Sequence, residues 1–483
     1  MSVDIFRKPM HCYILLSIWI LLLVGGVYKF LEPKPKYSTS SIGTDQFHNL
    51  VFDVKTKRIF KICNLPGDIK SGNEGFKSKQ WSLKGVLVLI RHGDRGPLQH
   101  VTNISYINCG YEEWNTHLKL YQEYLHNLTV LGKISWIGPG SFHGFPVLPT
   151  HMTQCQIGQL TMQGIVQLLK LGHILRESYV GIWQKLFNLS HSEVVVYSTR
   201  YRRTFQSALA FLYTFITGDT LSKVTILESQ SMSFCFKDCG CPIADTFYRS
   251  LRKHITKQLF SHPAVALLSE TTGRITFSVG AEQGLLGADP HSVRDALLTY
   301  ICHSSSLPCN SLHNCVNRRN VAGIFSYTDW VNHQKWGNVN WRRYCLLKSY
   351  GLIKHIVSQM LHMVSNSGPY LILYSGHDHT LEQLSTALGL QNDPHLLRYA
   401  GRIIIEVYNN NLQLLNGARD VYFRILSNGK DVTRQVYFCK ELLNVRQDVT
   451  LCRIEDIVRF IHDDYFTSLN FTNFKDSCVI KNV

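Results

Sequence analysis

Val86-Leu-Val-Leu-Ile90 runs without a spacer into Arg91-His92-Gly93-Asp94-Arg95-Gly96-Pro97. An unalternated apolar run predicts a strand buried on both faces, as in a parallel sheet with helices on either side. Open α/β sheets bind ligands beyond the carboxyl ends of their strands, so the charged turn falls where a substrate would sit. Two guanidiniums offer planar donor forks matched to phosphate oxygens, and an imidazole between them can act as a nucleophile toward phosphorus.

Two further segments repeat the pattern. Tyr370-Leu-Ile-Leu-Tyr374 precedes Ser375-Gly376-His377-Asp378-His379-Thr380, after which Leu381, Leu384 and Leu388 are spaced for one buried helical face. Val194-Val-Val196-Tyr197-Ser198-Thr199 precedes Arg200-Tyr201-Arg202-Arg203-Thr204 and a helical run to about Leu212. Arginines at a helix N-terminus oppose the macrodipole, so this cluster calls for an anionic partner.

In chain order these segments resemble the histidine acid phosphatases, branch two of the histidine phosphatase superfamily. The heptapeptide is similar to their Arg-His-Gly-x-Arg-x-Pro signature, and residues 374–380 are similar to their Tyr-Ser-x-His-Asp-x-Thr block. Arg203, just before a threonine, matches a third phosphate-binding arginine. The resemblance covers most of the chain after residue 84. It departs at Arg200, where an acidic residue is usual, at Tyr197, where an arginine is common, and at His379, where a small or hydroxyl residue is expected.

The resemblance implies an α/β fold, a mostly parallel sheet flanked by helices, with an inserted, largely helical, cysteine-containing cap. It also implies the roles that the chemistry of the residues suggests. Arg91, Arg95 and Arg203 would neutralise the phosphate oxygens, and His377 would add a fourth donor. His92 would attack phosphorus, and Asp378 would protonate the leaving alkoxide. The arginines do the work of a metal ion, so neither metal nor cofactor is expected. The chain has no Walker loop and no dinucleotide fingerprint.

Cys12 to Tyr28 contains no charged side chain, with Arg7 and Lys8 before it and Lys29, Lys34 and Lys36 after it. This predicts a type II anchor over 12–28, a cytosolic tail over 1–11 and a lumenal catalytic domain. The alternative is a signal peptide cut after Gly25 or Gly26, giving a secreted or lysosomal enzyme. The sequons at Asn103, Asn127, Asn188 and Asn470 are glycosylation candidates in a lumenal setting. Of fourteen cysteines all but Cys12 follow the span, which fits an oxidising compartment. A short span favours the thinner membranes of the early secretory pathway, hence the Golgi.

Residues 29–83 read as a stem, with Cys63 tying it to the folded body. The core is expected over 84–230 and 346–483, with the cap over 231–345. A helix is expected from Gly158 to Tyr179, a strand over 402–408, and a hairpin over 421–438 turning at Asn428-Gly429. Cys439 and Cys452 are a candidate disulfide, and an odd number of lumenal cysteines leaves at least one unpaired. Cys239 and Cys241 with His303 and His313 could hold zinc, though cysteines of this compartment are more often paired.

The net charge of +16 points to a polyanionic substrate or surroundings, such as acidic glycans. The resemblance implies as partners a phosphorylated glycan (a xylosyl phosphate of a proteoglycan linkage region) and Golgi glycosyltransferases; the anchor adds the membrane, and the compartment is a poor fit for nucleic acid. Two rivals stand beside this expectation: a broad-specificity or phytase-like acid phosphatase, and a phosphoglycan-binding protein without turnover.

Overall fold

The structure is a computed structural model and describes residues 54–99, 101, 104–111, 116–130, 142–180, 194–216, 221, 224–259, 290–309, 313–390, 397–411 and 420–479. The tail, the span 12–28, residues 29–53, Asn103 and Asn188 lie outside the described residues. Among the described residues no helix is long and apolar enough to cross a membrane.

The principal elements, in chain order, are α1 (Val54–Cys63), β1 (Trp81–Arg91), α2 (Thr116–Val130), α3 (Met162–Ser178), β2 (Val194–Thr199), α4 (Arg202–Phe215), β3 (Ile226–Ser229), α5 (Pro242–Leu259), α6 (Pro290–Cys302), α7 (Arg318–Trp336), α8 (Val339–Val364), β4 (Leu371–Gly376), α9 (Asp378–Leu388), β5 (Arg402–Asn410), β6 (Val421–Ser427), β7 (Lys430–Asp431), β8 (Leu442–Arg446) and β9 (Val449–Arg453). The strands form one sheet in the order β3-β2-β4-β1-β5-β6-β9-β8, with β7 paired to β6.

Alternate residues of the central strands enter two different cores. Val86, Val88 and Ile90 pack with α3 and α4 residues such as Leu168 and Phe205, whereas Leu87 and Leu89 pack with α8 and α9 residues such as Ile356 and Leu384. Leu371 and Leu373 of β4 split from Ile372 and Tyr374 in the same way. A strand covered on both faces has no solvent side, which explains the unbroken apolar runs.

The sheet is mixed, which corrects the expectation of a mostly parallel one. β3, β2, β4 and β1 are mutually parallel, but β5 runs antiparallel to β1, and every pair beyond it is antiparallel. Among the described residues β5 to β9 follow one another with no crossover helix between them, and parallel neighbours would need such crossovers. Asn428 (φ +48°) and Gly429 (φ +86°) make the expected turn between β6 and β7, in the left-handed region that such turns demand. β7 is only two residues long, and a second hairpin, β8–β9, completes the edge.

The end of the expected stem belongs to the folded body. Cys63 is bonded to Cys302, as foreseen, and Glu74 lies buried against Arg402, with Oε1 2.9 Å from Nε and 2.5 Å from Nη2. Beside this pair, Glu406 accepts from Tyr179 Oη at 2.6 Å, Tyr408 Oη at 2.7 Å, the Gly75 amide at 2.8 Å and Arg424 Nε. A buried carboxylate is tolerated when its lone pairs are filled in this way. Residues 72–76 therefore close the sheet.

The described part of 231–345 is largely helical, and α8 runs unbroken across 345, from Asn338 as N-cap to Val364. Its first turns carry Trp341 among cap residues, while Ile353 and Ile356 lie in the core beneath the sheet. Cys439–Cys452 forms as foreseen, and Cys345 is buried and unpaired. Cys239 is bonded to Cys235 and Cys241 to Cys478, so neither sulfur is a free thiolate for zinc.

Candidate active site

β2, β4 and β1 are neighbours and parallel, so their carboxyl ends open on one side. Arg91 ends β1 beside Gly376 at the end of β4, and Thr199 ends β2. Adjacency at the sheet edge thus gathers three segments that are nearly three hundred residues apart at most, and it brings Arg91, His92, Arg95, Arg203, His377 and Asp378 together.

The turn after β1 is held tightly. A Cβ on Gly93 would come within 2.3 Å of the Gly164 carbonyl oxygen, and one on Gly164 within 2.2 Å of the Asp94 carbonyl oxygen. Only glycine at both places lets the turn press onto the start of α3, where Thr161 caps the Gly164 amide at 3.0 Å. Asp94 is fully buried and accepts from Thr161 Oγ1 at 2.7 Å, with His303 Nε2 also at 2.7 Å and its own amide bonded to Gln167 Oε1 at 2.7 Å.

His92 Nδ1 lies 2.8 Å from the Gly93 carbonyl oxygen. A carbonyl only accepts, so Nδ1 carries the proton and Nε2 keeps its lone pair. Burial, followed by Arg203, Arg91 and Arg95, pushes the His92 pKa well below 6.5. The ring is therefore neutral and its free nitrogen is nucleophilic.

The arginines converge but are held differently. Arg91 stacks over Tyr399 at 4.3 Å, donates to the Leu397 carbonyl, and places Nη2 3.0 Å from Asp378 Oδ2. Arg95 is clamped by Asp295, with Nη2 to Oδ1 at 2.8 Å and Nη1 to Oδ2 at 3.1 Å. Burial works against its charge, but Tyr399 and Asp295 raise its pKa above the ordinary value. Arg203 stacks over Tyr201 at 4.4 Å, and its Nε has no hydrogen-bond partner. Burial, then Arg95, brings the Arg203 pKa down to about 10. Such crowding of cations favours a bound anion.

His377 Nε2 sits 2.9 Å from Thr199 Oγ1, and its ring lies 5.6 Å from that of His92, edge to face. Burial and Arg203 lower its pKa to about 3, so it serves as a neutral donor or acceptor. Asp378 starts α9 and is about one-third exposed. Burial would raise its pKa, but Arg91, helped by His379, His92 and Arg95, outweighs burial and holds the carboxyl well below the usual range. In the ligand-free site Asp378 is a carboxylate.

The departures noted in the sequence have local causes. Tyr197 faces away from the site, stacked on Tyr374 at 5.5 Å and edge-on to Phe236 and His355 at 5.2 Å each. Arg200 and Arg202 are exposed, and His379 Nδ1 lies 3.7 Å from Glu382 Oε2. Asn127 is exposed on α2, and Asn470 is exposed with φ +59°.

Sequence reasoning missed Asp295, Tyr399, Thr199 and His303. Asp295 and His303 come from the inserted region about two hundred positions downstream of the turn that they hold, and no local spacing announces them. Thr199 stood in view at the end of a predicted strand.

The model of the family described as histidine phosphatase superfamily (branch 2) matches residues 82–428. The 2-phosphoxylose phosphatase 1 of Mus musculus is 30% identical over 425 residues, covering 86% of this chain and 85% of the mouse protein. The Xenopus tropicalis protein of the same name is 28% identical over 424 residues, covering 86% of this chain and 81% of its own. The lysosomal acid phosphatase of Homo sapiens is 25% identical over 361 residues, or 71% of each chain.

Proposed function

Because the chain belongs to branch 2 of the histidine phosphatase superfamily, we propose that it hydrolyses phosphomonoesters through a phosphohistidine on His92. Its substrate in this reading is the 2-phosphate of a xylose in the glycosaminoglycan–protein linkage region.

The observation that carries the mechanism is the hydrogen bond from His92 Nδ1 to the Gly93 carbonyl, which leaves Nε2 as the attacking atom. A phosphate dianion enters among Arg91, Arg95 and Arg203, which take its equatorial oxygens, with His377 as a further donor. Nε2 forms a bond to phosphorus while the ester P–O bond breaks, and the departing oxygen takes a proton from Asp378. That proton has a physical source. The entering phosphate draws Arg91 away from the carboxylate and adds negative charge beside it, and both effects raise the Asp378 pKa. Water then attacks the phosphohistidine, gives its proton back to Asp378, and releases His92 and inorganic phosphate.

The choice of substrate rests on the likeness to the 2-phosphoxylose phosphatases over 86% of the chain. The net charge of +16 and the thirteen cysteines after Cys12 support a lumenal enzyme among acidic glycans. With the uncharged span 12–28 as a type II anchor, we place it in the Golgi membrane, where glycosyltransferases acting on the same glycan would be its neighbours. The likeness to lysosomal acid phosphatase supports a second reading, a broad-specificity acid phosphatase.

Phosphate release from a linkage oligosaccharide bearing 2-phosphoxylose, compared with nitrophenyl phosphate and inositol hexaphosphate, separates the two. Marked preference for the xylosyl phosphate is expected, with no activity in His92→Ala. Comparable rates on all three would give the second reading.

A further inference from the structure

A cavity of about 330 Å³ has His379, the residue directly after Asp378, in its wall. Four helices line it: Tyr248 comes from α5, Lys335 from α7, Trp341, Tyr344 and Lys348 from α8, and His379 from α9. Its size falls at the lower end of the roughly 300–1,000 Å³ of small-molecule sites.

The lining is an aromatic platform with a polar rim. Tyr344 stacks on Tyr248 at 5.1 Å and on Trp341 at 5.4 Å, each pair 28° from parallel. Lys335 Nζ lies 4.9 Å above the Trp341 ring. The Cys235–Cys239 disulfide is also in the wall.

The position follows from the chemistry. Asp378 gives its proton to the ester oxygen of the leaving alcohol, so the alcohol lies on the Asp378 side of phosphorus. His379 places the cavity on that same side. Both lysines of the rim face carboxylates: Lys335 faces Glu382 at 3.5 Å, which His379 also reaches at 3.7 Å, and Lys348 faces Asp245 at 3.0 Å. Glu382 is held down to about 2 against its burial by Lys335 and His379, so it faces Lys335 as a carboxylate. A second anion would find no unbalanced cation among these lysines. An uncharged ring with a C–H face and hydroxyls fits better, its face on the aromatics and its hydroxyls toward the rim.

We propose that this cavity is a saccharide subsite that receives a neutral sugar of the glycan joined to the phosphorylated one. The proposal rests on the reading of Asp378 as the acid and of a glycan phosphate as the substrate. It makes the cap helices the source of substrate selection, while the strand ends perform the chemistry.

The test uses the full chain with Tyr248→Ala and Lys348→Met, both at partly exposed positions. The quantity read is the ratio of kcat/KM on a linkage oligosaccharide carrying 2-phosphoxylose to kcat/KM on nitrophenyl phosphate. This ratio does not depend on the fraction of molecules folded. Loss of one aromatic contact should lower it about tenfold in Tyr248→Ala. The dephosphorylated oligosaccharide should inhibit the wild type and inhibit the variant about tenfold less well. A wild type that prefers the glycan while both variants keep its ratio within about twofold would overturn the subsite alone. A wild type indifferent to the glycan would overturn the substrate reading as well.

Discussion

Arg91 Nη2 lies 3.0 Å from Asp378 Oδ2, so the ligand-free enzyme keeps its candidate acid ionised by pairing it with a phosphate ligand. In the proposed mechanism, phosphate binding separates the two, so that substrate binding and the creation of the acid become one event.

This coupling makes Asp378→Asn selective. An asparagine cannot donate the proton that a sugar alkoxide needs, whereas nitrophenolate leaves without one. Turnover of a sugar phosphate should fall by about 10²–10⁴, the usual worth of general acid catalysis, with a much smaller loss on nitrophenyl phosphate. Equal losses on both substrates would remove Asp378 from that role.

The pH dependence follows from the same groups. The His92 pKa is depressed by burial and by Arg203, Arg91 and Arg95, so protonation of the nucleophile does not limit the rate near pH 6. One proton must be present on either Asp378 or the phosphate at the moment of attack, and the second phosphate pKa is about 6. As pH rises beyond that value the proton is lost. Log kcat/KM should therefore fall with a slope near −1, on the order of one proton, above pH ~6–7. A profile that climbs between pH ~6 and ~8 would mean that a base, not an acid, limits the reaction.

Asp295 clamps Arg95 through both carboxylate oxygens. In Asp295→Asn the paired geometry is lost, and the freed guanidinium must be reordered by each substrate. We expect kcat/KM to drop about tenfold to a hundredfold and inorganic phosphate to inhibit correspondingly less well. Unchanged phosphate inhibition would show that Arg95 keeps its place without Asp295.

Glu74 and Arg402 are both buried, at 8% and 1% exposure. Glu74→Ala leaves the guanidinium charged without its carboxylate, a change that costs about 3–5 kcal/mol. A clear drop in the denaturation midpoint is expected. A midpoint equal to the wild type would return residues 72–76 to the stem.

The sequence made the parallel half of the sheet legible because a strand buried on both faces leaves an unbroken apolar run, as at Val86–Ile90 and Leu371–Tyr374. The same feature located the strand ends, and with them His92 and Asp378. The antiparallel half was less legible. Asn428-Gly429 announced its turn, but Leu442–Arg446 is short and mostly exposed, with no apolar alternation to mark it. Residues 29–83 read as a stem from composition alone, because polar and glycine-rich composition describes a linker and a loop packed on the sheet equally well. Only the partners of Glu74 and Gly75, more than three hundred positions away, distinguish them. Long-range partners also explain why Asp295 and His303 stayed hidden.

The phosphohistidine itself gives the most direct test. The Asp378→Asn protein should be mixed with nitrophenyl phosphate, which phosphorylates without needing an acid, and quenched in alkali, where a phosphohistidine survives. Peptide mass spectrometry should then find phosphate on His92, and His92→Ala should give none. A phosphoenzyme modified at another residue, or hydrolysis by wild type with no phosphoenzyme at any time, would contradict the account.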